Sequence, residues 1–176
     1  RSIPHTADEN SRFTLTGALL KIGEGKIILV STNGHKLSYW DTSFSYSGPS
    51  FKGIIGSKAL TETLKLVSEV TIKVGENHIS FSDETTEIIT RTLTGDFPHY
   101  EMVLPQNTSL SCTTDRAQLI RAIKQALLMS DERTKAIAFE LQPNKIKITS
   151  SESNAGDANI EINATYNGPN QTIGFN

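Results

Sequence analysis

The stretch LLKIGEGKIILVS, residues 19–31, consists of two apolar runs separated by Gly-Glu-Gly. Runs rich in Leu, Ile and Val on either side of a glycine turn spell a β-hairpin. The same order of strand, Gly/Pro/Asn turn and alternating strand recurs in TIKVGENHISFS (71–82) and AFELQPNKIKITS (138–150), which predicts a repeated architecture. Outward from the first hairpin, one strand covers Phe13–Ile22 and its partner Lys26–Ser31. Asn33-Gly34 marks a further turn, and HKLSYW (35–40) forms a third strand. Residues 41–50 (DTSFSYSGPS) predict an exposed connection, with another strand at Phe51–Ile55.

The segment SKALTETLKLVS predicts a helix over 57–68, with Leu60, Leu64 and Val67 on its apolar face, Lys58, Thr61 and Lys65 on another stripe, and Ser57 as its cap. Strands resume at Val70–Val74, His78–Ser82 and Glu87–Leu93. The run GDFPHYEMVLP ends at Pro105, and a domain boundary is expected beside it, giving units 1–105 and 106–176. A short strand at Ser109–Cys112 opens the second unit. Asp115 with Gln118 resembles a capping box for a helix over 115–129, whose apolar face is Leu119, Ile120, Ile123 and Leu127, beside a stripe of Arg121, Lys124, Gln125 and Leu128. Strands at Lys135–Leu141, Lys145–Ser150, Asn159–Tyr166 and Gln171–Phe175 complete an α+β pattern.

With 17 Lys and Arg against 19 Asp and Glu, the net charge is −2, so contact with nucleic acid has to be local or loose. The polar start RSIPHTADEN and the lack of any long apolar run predict a soluble protein with no membrane partner, a description that a mature secreted chain would also fit. A single cysteine, Cys112, excludes an intrachain disulfide and reads as a small strand or core residue. No nucleotide-binding glycine loop, nucleophile elbow or paired-cysteine motif is present. His5, His35, His78 and His99 are scattered, and Asp83, Glu84 and Glu87 surround a turn without the spacing of a calcium loop. No metal, cofactor or catalytic residue is expected. Lys58, Lys65, Arg116, Arg121 and Lys124 suit a shallow positive surface that attracts phosphates without reading bases, or else ordinary solvated helix faces.

Several segments resemble one family. FTLTGALLKI followed by GKIILVSTNGHKL is similar to the middle domain of the bacterial replicative sliding clamp, the beta subunit of DNA polymerase III, where a strand pair leads into a T-D-G-H-R-L motif. RTLTGDFPHYEMVLP resembles that domain's closing G-x-F-P-x-Y segment; AFELQPNKIKITSES and NATYNGPNQTIGFN resemble the third domain. The resemblance implies a non-catalytic ring of two three-domain subunits joined head to tail, with helices lining the hole and antiparallel sheets outside. It assigns residues 1–105 to the middle domain without its opening strand and most of its first helix, and 106–176 to the first part of the third domain.

The family's partners are duplex DNA, the polymerase catalytic subunit, the clamp loader, and repair polymerases and other proteins that insert a short, largely apolar peptide into a groove. By resemblance Leu15, Thr32, Gly34, His35, Lys36, Leu37, Pro105 and Leu110 belong to that groove, with Thr134 and Asn176 contributing from the third domain; Lys58, Lys65, Arg116, Arg121 and Lys124 face DNA; and Leu128 and Met129 lie near the dimer interface. Asn33 and Lys36 stand where Asp and Arg are common, and Lys lacks the planar donor fork of Arg. The family's C-terminal strand, which completes the groove, is expected to be missing. A β-rich peptide-binding module that does not surround DNA is the alternative reading.

Overall fold

The structure is a computed structural model that describes residues 6, 13–46, 48–67, 69–105, 108–152 and 156–175. It divides into two compact units, Arg1–Met102 and Val103–Asn176, and has the expected α+β class.

In the first unit, β1 (Gly17–Gly23), β2 (Lys26–Thr32) and β3 (Leu37–Ser43) form a meander; β4 (Phe51–Gly56), α1 (Ser57–Thr63), β5 (Thr71–Val74), β6 (His78–Ser82) and β7 (Glu87–Leu93) follow. They make one seven-stranded antiparallel sheet in the order β3-β2-β1-β4-β7-β6-β5. Alternation along β1 sends Ala18, Leu20 and Ile22 to one face, where they form a core with Ile55, Leu60, Ile79 and Phe81. Leu19 points the other way, opposite Val30 and Ile54, and all three are buried. The buried Phe97 and Tyr100 come from the segment after β7, where a short 3-10 helix spans Tyr100–Met102.

Helix α1 is shorter than the apolar spacing predicts. It stops at Thr63, Leu60 is buried, but Leu64 and Val67 are 67% and 88% exposed. Ser57 does not cap it: Gly56 holds the cap position without a side-chain bond, while the Ser57 amide donates to Thr16 O at 3.2 Å. After Thr63 the amides of Leu64, Lys65 and Leu66 bond three residues back instead of four, and the Val67 amide donates to the Asp83 carboxylate in the β6–β7 turn at 3.2 Å.

The second unit contains β8 (Thr113–Thr114), α2 (Arg116–Leu127), β9 (Ile137–Gln142), β10 (Lys145–Glu152), β11 (Gly156–Thr165) and β12 (Gln171–Phe175). The sheet order is β12-β9-β10-β11-β8. The opening strand begins directly after the predicted Ser109–Cys112, because its partner is the end of β11: Thr114 pairs with Ala164, and its hydroxyl donates to Asn163 O at 2.6 Å. Asp115 caps α2, accepting from the Gln118 amide at 2.8 Å. The residues that α2 buries fully are Ala122 and Ala126, with Leu119, Ile123 and Leu127 flanking them; Ile120 is 38% exposed. Alanines let the helix approach β10 closely enough for Ser150 Oγ to donate to Ala126 O at 2.6 Å, a second bond to a carbonyl that also accepts from the Met129 amide at 3.1 Å.

The two units share one local design. Each has a three-stranded meander followed by Tyr-x-Gly-Pro, at 46–49 and 166–169, and a fourth strand that pairs back with the first. Tyr46 Oη donates to Pro49 O at 2.9 Å and Tyr166 Oη to Pro169 O at 2.7 Å. A Cβ at Gly48 or Gly168 would sit 2.6 or 2.5 Å from the tyrosine oxygen, so only glycine fits beneath each ring.

Two stability tests follow from this packing. Ala126→Leu should cost about 1–3 kcal/mol by overpacking, whereas exposed Leu128→Ala should stay within about 0.5 kcal/mol in urea unfolding. Tyr166→Phe strands a carbonyl acceptor and should cost about 1 kcal/mol.

Candidate functional site

Antiparallel pairing of β1 with β2 brings the start of β1 to the end of β2, so Leu15 and the Thr32–Leu37 turn lie at the same end of the first sheet. Leu15 and Thr32 are each 8% exposed, Leu37 is half-buried, and Gly34, His35 and Lys36 are exposed. The turn is built from two side chains. Asn33 Oδ1 accepts from the amides of His35 and Lys36 at 3.0 and 2.9 Å. Thr32 Oγ1 accepts from Gly34 N at 3.1 Å and donates to Lys36 O at 2.7 Å. Gly34 has φ +91° with open space around its Cα, a conformation natural to glycine. Two more turns repeat the first half of this clasp: Asp83 Oδ1 accepts from the Thr85 and Thr86 amides, and Asp131 Oδ1 from the Arg133 and Thr134 amides. Those amides hold both carboxyls below the usual aspartate range.

Pro105, Leu110 and Thr134 belong to the second unit. Pro105 is exposed; Leu110 is 40% exposed and packs beside Gly168; Thr134 is exposed and closes the Asp131 clasp through its hydroxyl at 3.1 Å. Asn176 lies outside the described residues.

Of the cationic candidates, Lys58 on α1 and Arg116, Arg121 and Lys124 on α2 are exposed. Lys65 falls beyond the end of α1, and its ammonium is paired with Glu62 at 2.5 Å, so it is a less available phosphate contact than the helical reading implies. Leu128 is 77% and Met129 38% exposed at the end of α2, so Leu128 is not core packing.

Among the described residues no group of three or more His, Cys, Asp or Glu side chains converges to hold a metal. His35 sits in the β2–β3 turn, His78 accepts from Arg91 Nε at 3.3 Å, and His99 lies between Pro98 and Tyr100; His5 is outside the described residues. Cys112 is half-buried against the second core, and burial pushes its thiol upward, away from a reactive thiolate.

Sequence reasoning passed over one polar cluster. Lys21 Nζ lies 2.9 Å from Glu101 Oε1, 3.1 Å from Tyr100 Oη and 4.8 Å from the Tyr100 ring centroid. Tyr100 in turn lies 6.0 Å from Tyr39 of β3. A lysine inside an otherwise apolar strand, facing the tyrosine-glutamate pair after Phe-Pro-His, was the available signal. The hydrogen bond from Lys21 holds Glu101 down to about 2 and raises Lys21. A depressed carboxyl contributes stability above its unfolded value, and that contribution is lost as pH falls through the folded value. Glu101→Gln should therefore lower the melting temperature at neutral pH, and the difference from the parent should shrink between about pH 4.5 and pH 2 in thermal unfolding; a pH-independent difference would assign Glu101 a packing role only.

Comparison with known proteins accounts for nearly every residue. The family model of the DNA polymerase III beta subunit central domain matches residues 5–99, and that of its C-terminal domain matches residues 101–176. The beta sliding clamp of Chlamydia muridarum is 32% identical over 96% of this chain and 47% of its own length; that of Pseudomonas aeruginosa is 30% identical over 97% and 48%. A crystal structure of the Pseudomonas aeruginosa beta subunit superposes with a TM-score of 0.91 at 29% identity, covering all of this chain and 50% of that one. The corresponding figures for a structure from Eubacterium rectale are 0.90, 27%, 99% and 49%. The chain spans about half the length of the curated relatives it matches. With two consecutive domain models matched in order across nearly every residue, the chain belongs to the DNA polymerase III beta subunit family, the beta sliding clamps.

Proposed function

We propose that the protein to which this sequence belongs is a non-catalytic sliding clamp, with residues 1–105 in its middle domain and 106–176 in its third. It encircles duplex DNA in the cytoplasm and raises processivity by keeping a polymerase at a high effective concentration beside the primer end. The observation that carries this reading is the ordered match of both units to successive clamp domains. A ring holds DNA by topology, so a net charge of −2 is no obstacle. Mobile contacts from Lys58, Arg116, Arg121 and Lys124, with Lys65 a weaker contributor, suffice and leave the ring free to slide.

The same reading gives the Thr32–Leu37 turn, with Leu15, Pro105, Leu110, Thr134 and Asn176, to a groove for short apolar peptides of the polymerase, the clamp loader and repair polymerases. Support comes from the chemistry of the turn: a preformed backbone with an exposed glycine offers close approach, and Leu37 and Leu110 offer apolar surface. Leu128 and Met129 supply apolar surface for a head-to-tail contact with a second subunit.

Three measurements test the proposal. On nicked circular DNA the complete protein should be retained and then released when the circle is linearised; equal retention on linear DNA would remove the topological mechanism. With the Arg121→Glu/Lys124→Glu variant, the salt dependence of DNA association should flatten by about one log unit for each phosphate no longer neutralised. In fluorescence anisotropy, Leu110→Ser should weaken binding of a labelled apolar polymerase-tail peptide by about tenfold, while leaving DNA retention unchanged.

A further inference from the structure

The Asn33-Gly34 peptide has a chemistry that neither aspartate clasp shares. Asn33 bears a carboxamide whose nitrogen can be displaced, and the residue after it has no side chain to hinder attack. We propose that Asn33 is a site of spontaneous modification whose rate is gated by Thr32. The Gly34 nitrogen attacks Asn33 Cγ, the new N–C bond closes a five-membered succinimide, and the Cγ–Nδ2 bond breaks. The nitrogen's proton leaves with the departing ammonia. Water then opens the ring at either carbonyl, giving aspartate or isoaspartate.

In the folded turn this attack is blocked. The nitrogen becomes a nucleophile on losing its proton to base, and the electron pair so released lies in the peptide plane along the former N–H bond; in the folded turn that bond points at Thr32 Oγ1, 3.1 Å away, instead of at Asn33 Cγ. Asn33 Oδ1 is pinned by the His35 and Lys36 amides at 3.0 and 2.9 Å, so the carboxamide is unable to turn toward Gly34 without giving up both bonds. The Thr32 hydroxyl is itself held by Lys36 O at 2.7 Å. Reaction therefore proceeds through the opened turn.

The two products have different consequences, and two other turns of the molecule supply the comparison. Asp83 and Asp131 make the same bonds to the amides two and three residues ahead, so an aspartate at 33 re-forms the clasp. An isoaspartate inserts a methylene into the main chain, which moves those amides out of reach and leaves the turn open. Either product places a new negative charge beside the exposed His35 and Lys36. The chemistry is independent of DNA encirclement.

The test is peptide mapping by mass spectrometry of the full 176-residue chain incubated at mildly alkaline pH. The tryptic fragment 27–36 reports Asn33, and hydroxylamine cleavage after residue 33 traps the succinimide. Ammonia loss should be at least about tenfold slower in the native chain than in guanidinium, as expected if opening costs even one ordinary hydrogen bond. Thr32→Val should speed the native reaction by about the same factor, and Thr32→Ser should not. Equal native and unfolded rates would overturn the proposal, as would a folded Thr32→Val variant that reacts no faster than the parent. Should circular dichroism show that variant unfolded, the native-to-unfolded ratio of the parent decides alone.

Discussion

Strand β1 has no solvent side. Ala18, Leu19, Leu20 and Ile22 are each at most 4% exposed, although they alternate between opposite faces of the sheet. Burying one of these leucines or the isoleucine contributes about 1.5–3 kcal/mol, so both faces require a cover. On one face the cover is Leu60 of α1 with Ile79 and Phe81 of β6. On the other, Phe97 and Tyr100 are buried in a segment that has no sheet bonds of its own. Lys21, projecting from β1 itself, fastens that segment through Glu101 and Tyr100. The apolar run and its one lysine thus specify the meander and anchor its cover.

The hairpins were legible because alternation and turn residues are local signals. His78–Ser82, Glu87–Leu93 and Gln171–Phe175 need no adjustment. Helix α1 was overextended for a physical reason. Leu60, Leu64 and Val67 have helical spacing, but spacing is silent about whether a surface exists to receive them, and Asp83 captures the Val67 amide from a turn sixteen residues away. In α2 apolarity predicts Leu119, Ile120, Ile123 and Leu127 as the buried side chains. Close approach to β10 favours the smallest instead, and Ala122 and Ala126 displace Ile120 from the interface.

The candidate site was legible only through resemblance. Thr32, Asn33 and Gly34 are ordinary turn residues by their chemistry, and Leu15 without the resemblance reads more readily as core; it is buried. Sequence spacing does not reveal that Thr32 and Asn33 bond to different partners within one turn, or that Lys65 is spent on Glu62. The repeated Tyr-x-Gly-Pro corner was visible in the sequence all along. It passes unnoticed because its meaning, a tyrosine hydroxyl closing on a proline carbonyl over a bare glycine, exists only in three dimensions.

The three clasps use the same oxygen position with different charge. At Asp83 and Asp131 the acceptor is ionised, so each bond is charge-assisted and stronger than its neutral counterpart. Both carboxyls lie below the ordinary aspartate range, so their contribution is present above the unfolded value and is lost as pH falls through the folded one. The acceptor of Asn33 carries no proton equilibrium in that range. Acid therefore loosens the β6–β7 turn and the turn after α2 while the β2–β3 turn keeps its bonds. The neutral amide also leaves His35 and Lys36 without an adjacent carboxylate, so their donors remain available to a ligand instead of being attracted inward. What the turn gives up is chemical permanence: the group that keeps the clasp neutral is the one that can be displaced as ammonia.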